Sequence, residues 1–576
     1  MRRKEALTAI LCLLPAAFLG GVLIFYPILR TLELAFFHMD PVGRPTGFAG
    51  WTNFTNLLKD PLFSRVILNT LIWTAGVVII TMVLGMAVAL LLNSRPPGHR
   101  IARLLLLLPW ASSLTISAIT WRWMLNGQYG AINQLLHSLH LMPVTTQPEW
   151  LALPRPAFEW IIVVGIWASV PFTAIVLQAG LQSIPSDIHE AGWLDGASGW
   201  KHLRYLTLPM MKSVVVTVGL LNTIYVFNSF PIIWIMTRGG PMDQTHIMIT
   251  YLYKQAFTLS EYSSAGAIAT LTFIILLAIS VINIAAQLRQ RLPCIGRGEG
   301  MRRRPLSLTV VLTSLVALVA VISVAPFLVM IITSLKGSSA IFSAHPSWLP
   351  SPVRWDNYLR AFQETPLTDY IQNSLIISGG ATLLNLLAAA PAAYALSRLQ
   401  FSGKKWILQA VLVTQMFSPV VLVLALYHLI SVLNLTDSLW ALILTDGTFS
   451  LAFSIWLLTS YFNAIPVEMD EAARLDGCTR MGVFRRVLMP LARPGLAVTA
   501  LFAFIYAWNE FVFALTFIAT PDRNPLTVGL FDFVGRYEVQ WNLLMAASVI
   551  AVVPVIIIFM FIERHLVEGL TAGAVR

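Results

Sequence analysis

The chain has 576 residues, 57% hydrophobic and 11% charged, with a mean hydropathy of +0.74. A soluble domain carries about 25% charged residues, so this composition excludes a soluble globular protein and implies a polytopic membrane protein. The net charge of +11 reads as cations held on the cytoplasmic side, not as nucleic-acid binding.

Met1-Arg2-Arg3-Lys4 opens an apolar run that continues to about Leu29, with no clear cleavage site, and is read as an uncleaved first helix. Twelve spans are expected. Six lie near 7–29, 67–93, 102–125, 158–182, 212–236 and 265–288, and six near 306–334, 372–397, 406–432, 439–462, 494–518 and 542–563. With both termini inside, 25 of the 38 Lys and Arg fall in cytoplasmic segments, among them Arg95, Arg100, Lys201, Arg398, Arg485 and Arg564. The positive-inside rule favours that orientation. Residues 289–305 are basic, contain Gly and lack apolar periodicity, so they read as a cytoplasmic linker. Within them Met301, followed by three arginines, looks like the start of a separate membrane protein, and we read two subunits joined in one chain. Three scattered cysteines, Cys12, Cys294 and Cys478, give no disulfide framework or metal-ligand spacing.

The halves 1–288 and 306–576 repeat. Trp51-Thr52-Asn53-Phe54 matches Trp355-Asp356-Asn357-Tyr358 at an offset of 304, and Asn69-Thr70-Leu71-Ile72 matches Asn373-Ser374-Leu375-Ile376 at the same offset. The offset falls to 281 by the fourth span, so the first half carries 23 extra residues, placed in the outer loop 126–157. The fold class expected is all-α, with two six-helix halves related by a pseudo-two-fold axis along the membrane normal.

The repeat is sharpest in two cytoplasmic segments, about 185–209 and 466–490. Ile184-Pro185 leads to Glu190-Ala191-Gly192, Asp195-Gly196 and Leu208-Pro209; Ile465-Pro466 leads to Glu471-Ala472-Ala473, Asp476-Gly477 and Pro490. Proline suits a first helical turn, and acids suit its positive end. Small residues allow close approach, and Asp-Gly reads as a stop with glycine in the left-handed cap. A second amphipathic piece carries Trp200, Leu203 and Leu206, or Met481, Phe484 and Val487. Each segment is a helical elbow, and two equal elbows suit a two-fold-symmetric partner better than a membrane-surface helix.

Glu-Ala-Ala, Asp-Gly and Leu-Pro at this spacing resemble the EAA motif of binding-protein-dependent ABC importer permeases, in the carbohydrate (maltose and glycerol-phosphate) branch. The first half resembles the larger partner, through Trp167, Pro171, Phe227-Asn228-Ser229-Phe230 and Thr237-Arg238-Gly239-Gly240-Pro241; the second resembles the smaller, through Trp508-Asn509-Glu510-Phe511. Gly192 and Cys478 depart from the pattern's Ala, and both are small. The resemblance implies that Glu190, Ala191, Gly192, Asp195 and Gly196, and Glu471, Ala472, Ala473, Asp476 and Gly477, couple to two copies of an ATPase subunit. It also implies an outer-face solute-binding protein and alternating access in the bacterial inner membrane. By the same resemblance Trp167, Ser169, Phe172, Asn222, Tyr225, Asn228, Ser229, Phe230, Asn509 and Glu510 are solute-site candidates for a sugar-like substrate.

The chain has no Gly-x-x-x-x-Gly-Lys-Ser/Thr loop, and Phe401-Ser402-Gly403-Lys404-Lys405 lacks its first glycine and hydroxyl residue. No cofactor is expected in this chain; ATP and Mg belong to the partner ATPase, and the chain is not itself an enzyme. A glycerol-phosphate or polyol permease is the nearer alternative. A twelve-span secondary transporter is more distant, because Glu510 reads as nearly alone within the spans, with Glu33, Glu159 and Glu563 at span ends.

Overall fold

Apolar runs that satisfy their own backbone groups, as a bilayer interior requires, become the long helices of this fold. The computed structural model describes residues 2–40, 43–143, 145–288, 306–343, 347–414, 418–534 and 539–574. The expected linker 289–305 lies outside the described residues. Some 78% of the structure is helical. Among the described residues eight helices are long and apolar enough to cross a membrane: Leu7–Phe36, Pro61–Asn93, Pro154–Gln182, Lys212–Thr237, Tyr262–Ile279, Thr309–Ser334, Leu367–Arg398 and Trp541–Ile558. Three bent pairs raise the count to eleven. They are His99–Ala111 with Leu114–Met124 at 96°, Leu439–Phe449 with Leu451–Ala464 at 45°, and Arg480–Leu491 with Arg493–Trp508 at 78°.

The structure thus departs from twelve unbroken spans. The expected span 406–432 is two shorter helices, Lys404–Thr414 and Pro419–Val432. Two of the breaks have a common cause, a serine that caps a new helix and so ends the preceding one. Ser113 accepts the Thr115 N–H at 3.2 Å, Ser418 the Val420 N–H at 3.3 Å. The first helix also runs on to Phe36, past the expected Leu29. Nor is the fold wholly helical, since Phe37–Met39 pairs antiparallel with Pro45–Phe48.

The halves exchange their first helices. Arg2–Gly20 packs on Leu367–Arg398 of the second half, and Leu306–Ser334 packs on Pro61–Asn93 and on both pieces of the 99–124 bent pair.

The sequence repeats around Asn53 and Asn69 turn out to be backbone clamps. Asn53 Nδ2 donates to the carbonyls of Ala35 and Phe37, and Asn357 Nδ2 to those of Ser334 and Lys336. Asn69 Nδ2 donates to Gln244 O and His246 O, and Asn373 Nδ2 to Asp522 O and Asn524 O. The neighbouring hydroxyls repeat too, with Thr70 Oγ1 accepting from Met248 N and Ser374 Oγ from Leu526 N. Each clamp supplies two donors to carbonyls at the end of a helix or beyond it, where intrahelical partners run out.

The extra segment, expected at 126–157, folds on itself. Asn133 holds Gly127 O and accepts from Trp150 Nε1 at 2.7 Å. It reaches the second half through the Tyr129–Phe342 ring contact at 5.1 Å and the Trp348 Nε1 bond to Ser138 Oγ.

Candidate functional site

The two elbows are built alike. Their first helices are Ser186–Leu194 and Glu468–Leu475. Each closes in a paired stop: Ala197 N–H to Gly192 O and Gly196 N–H to Trp193 O in one, Cys478 N–H to Ala473 O and Gly477 N–H to Arg474 O in the other. Gly196 and Gly477 sit at φ +77° and +85°, the left-handed cap that this motif needs. Gly192 and Ala473 face inward, while Glu190, Ala191, Asp195 and Gly196, and Glu471, Ala472, Asp476 and Gly477, are exposed. A π turn follows at matched places, Leu203–Thr207 and Phe484–Leu488. Pro209 and Pro490 explain it, because a proline ring clashes with the carbonyl four residues back, and widening the turn relieves that.

Two features escaped sequence reading. Leu194 and Leu475 occupy equivalent positions and are 89% and 88% exposed. Their signal was a leucine beside Asp-Gly on a polar face. The elbows also differ in anchoring. In the second, Arg398 Nε lies 2.9 Å from Asp470 Oδ2, and burial raises the Asp470 carboxyl against the opposing pull of Arg398 and Arg474. In the first, His189 occupies the position of Asp470. Its Nδ1 is 3.2 Å from His202 Nε2, with the rings stacked at 4.9 Å and Trp193 stacked on His202. Burial, then His202, lower the His189 pKa.

The fifth spans are discontinuous. Lys212–Phe227 stops before Pro231–Thr237, and Arg493–Trp508 before Val512–Phe517. The intervening residues are Asn228-Ser229-Phe230 and Asn509-Glu510-Phe511, all but Phe511 among the solute-site candidates. The structure brings the two breaks together, with the Phe230 and Phe511 rings 6.3 Å apart across the halves. Asn228 Oδ1, Ser229 Oγ and Asn509 Oδ1 are buried without a hydrogen-bond partner among the described residues. Glu510 is held differently: its two oxygens accept from Phe513 N at 2.7 Å and Ala514 N at 3.0 Å, capping the short second helix.

The other candidates lie apart from the breaks or are engaged in packing. Trp167 donates to Ile322 O at 3.2 Å and packs on Trp121 and Phe327. Asn222 exchanges two hydrogen bonds with Thr173 and donates to Val218 O. Ser169 is buried, and Tyr225 is half exposed one turn before the first break. Phe172 stacks on Trp110 at 5.6 Å; Trp110 meets Phe502, and Phe502 meets Phe453, so an aromatic row runs from one half to the other.

One expectation is corrected. Glu510 is not nearly alone within the spans: Asp446 lies inside the fourth span of the second half, 1% exposed. A single acid in Leu442-Ile443-Leu444-Thr445-Asp446-Gly447 was the available signal.

A family model described as "Binding-protein-dependent transport system inner membrane component" matches residues 81–292 and again 386–571. The chain is 43% identical over 277 residues to a probable ABC transporter permease protein of Brucella suis biovar 1, covering 48% of this chain and 95% of that one. It is 36% identical to the trehalose/maltose transport system permease protein MalG of Thermococcus litoralis, over 45% of this chain and 94% of that one. It is 34% identical to MalF of the same system, over 49% and 95%. A solved bacterial alginate ABC transporter, in complex with an alginate pentasaccharide-bound periplasmic protein, aligns at a TM-score of 0.44 and 21% identity, over 50% of this chain and 95% of that one. The relatives are single permeases matching about half of this chain each, and the chain belongs to the family of binding-protein-dependent ABC transporter permeases, with the family domain present twice.

Proposed function

We propose that this chain is the transmembrane permease component of an ABC importer, moving a sugar or sugar-like solute from an outer-face binding protein into the cytoplasm. The two halves, 1–288 and 306–576, are joined by a cytoplasmic linker and related by a pseudo-two-fold axis along the membrane normal. Twelve spans put both termini and both elbows in the cytoplasm of a bacterium. Two copies of a separate ATPase, which carry the ATP and Mg, receive one elbow each, and their closure drives alternating access.

The observation that carries this reading is the equivalence of the elbows. Stop, π turn, buried small residue and bare leucine recur at one offset. A single surface helix needs no such match, whereas a two-fold ATPase dimer presents two equal clefts. Discontinuous helices meeting across the halves support a solute site at the Asn228 and Asn509 breaks, since transporters place such breaks near the midplane. The names of the trehalose/maltose relatives favour a saccharide.

The test is ATP-dependent uptake in vesicles holding the chain with its ATPase and binding protein. Glu190→Lys combined with Glu471→Lys is expected to uncouple ATP hydrolysis from the binding protein. Unchanged coupling in this double variant overturns the docking role.

A further inference from the structure

Both carboxyl oxygens of Asp446 are buried and have no hydrogen-bond partner among the described residues. An acid without donors is costly in a bilayer interior and usually marks a functional site there.

The surroundings of Asp446 are specific. Phe449, three residues on and on the same helical face, packs its ring on Phe513 at 5.1 Å. Phe513 N–H is one of the two donors that hold Glu510. The Asp446 face is therefore turned towards the helix start that Glu510 caps. The two carboxyls interact electrostatically, and Tyr506 interacts with both. Glu510 has its donors; Asp446 has none, and neither does Asn509 Oδ1. At an offset of 281 the first-half counterparts of Asp446 and Glu510 are Gly165 and Ser229, so the acidic character belongs to the second half.

Two neighbouring buried acids, one of them without donors, are complementary to a group that brings both donors and positive charge, because such a group stabilises the ionised form that burial disfavours. We infer that Asp446, with Tyr506 and with Glu510 and its chain neighbour Asn509, forms a solute subsite that takes a cationic hydrogen-bond donor, an ammonium group, and disfavours an anionic group. This inference rests on the reading of the fifth-span breaks as the solute site. It makes Asp446 a specificity-determining residue and disfavours a phosphate-bearing solute. The side chain is closed from solvent here, and parting of the breaks opens the subsite during transport.

The test uses the full chain, assembled with its ATPase in lipid nanodiscs, with Cys12, Cys294 and Cys478 replaced by Ala and Asn509→Cys introduced. The thiol is challenged with cationic aminoethyl and anionic sulfonatoethyl methanethiosulfonate, each rate normalised to a free thiol. With Asp446 present the cationic reagent is expected to be preferred on the order of tenfold, the effect of a nearby unit charge at intermediate dielectric. Asp446→Glu should keep the preference and Asp446→Asn should lose most of it; Asp446→Ser serves the same comparison if the Asn variant fails to assemble. A preference unchanged in the Asn or Ser variant overturns the inference while leaving the solute-site reading intact. If Asn509→Cys reacts with neither reagent, with or without ATP, the solute-site reading itself fails.

Discussion

Leu194 and Leu475 allow the docking hypothesis to be tested quantitatively. Each stands at the end of an elbow helix, 89% and 88% exposed. Truncation to alanine removes little that the permease itself uses, so its own stability should change by less than about 0.5 kcal/mol. If an ATPase cleft covers the leucine, the removed carbons forfeit about 2 kcal/mol of burial. At 1.4 kcal/mol per decade this is roughly 30-fold in Kd for one elbow. An ATPase dimer that engages both elbows at separate clefts sums the two losses, so the double variant should approach the product, roughly 1,000-fold. The assay is titration of the purified ATPase onto the permease in nanodiscs, with thermal unfolding of the permease as control. A double variant that binds within about twofold of wild type while staying folded would refute the argument that these side chains are buried by the partner.

Three further outcomes follow from the described geometry. Gly196 and Gly477 have left-handed φ and nothing within 4 Å of an added Cβ, so Ala at either costs about 1 kcal/mol of backbone strain alone. Faster amide exchange in the elbow with Ala than with Asn would show it. Asn69→Ala strips two donors at 2.8 and 3.1 Å from partly buried carbonyls and should cost about 2–3 kcal/mol in thermal unfolding. Asn373→Ala should cost less because its bonds are more exposed, and the reverse order would contradict this. The first elbow should loosen in acid. His189 has a lowered folded pKa, so the unfolded form takes up the proton first; the stability from the neutral ring is full above about 6.5 and declines as pH falls below it. Amide exchange over 186–209, corrected for intrinsic rates, should rise between pH 7.5 and 5.5 and flatten in His189→Asn. A rise that persists in the variant would assign it elsewhere.

Much of the frame was legible because its determinants are local. Proline, small residues and Asp-Gly specify the elbow without reference to neighbours, and Gly196 and Gly477 take the expected left-handed caps. Helix breaks were less legible, since an apolar run scores as one span whether or not a serine caps its middle. Ser113 and Ser418-Pro419 carried the cue, but hydropathy alone outweighs a single capping residue. The clamps by Asn53 and Asn69 were visible only as repeats. Their role depends on carbonyls up to 177 residues away, which no local pattern encodes.

What the repeat keeps and what it changes separates frame from chemistry. Positions that hold the backbone are conserved between the halves: Asn53 with Asn357, Asn69 with Asn373 and Gly196 with Gly477. Three acids packed into the second half are not matched: His189 faces Asp470 in the alignment, Ser229 faces Glu510 and Gly165 faces Asp446, whereas the exposed acids of the elbows, Glu190 with Glu471 and Asp195 with Asp476, are kept. Backbone geometry must match for two elbows to meet two equal clefts, whereas a solute lying between the halves meets a different surface on each side. A variant that exchanges the two elbow segments should therefore assemble with the ATPase, whereas one exchanging 228–230 with 509–511 should assemble but lose uptake. Loss of assembly in the first, or retained uptake in the second, would show that frame and chemistry are not separable in this way.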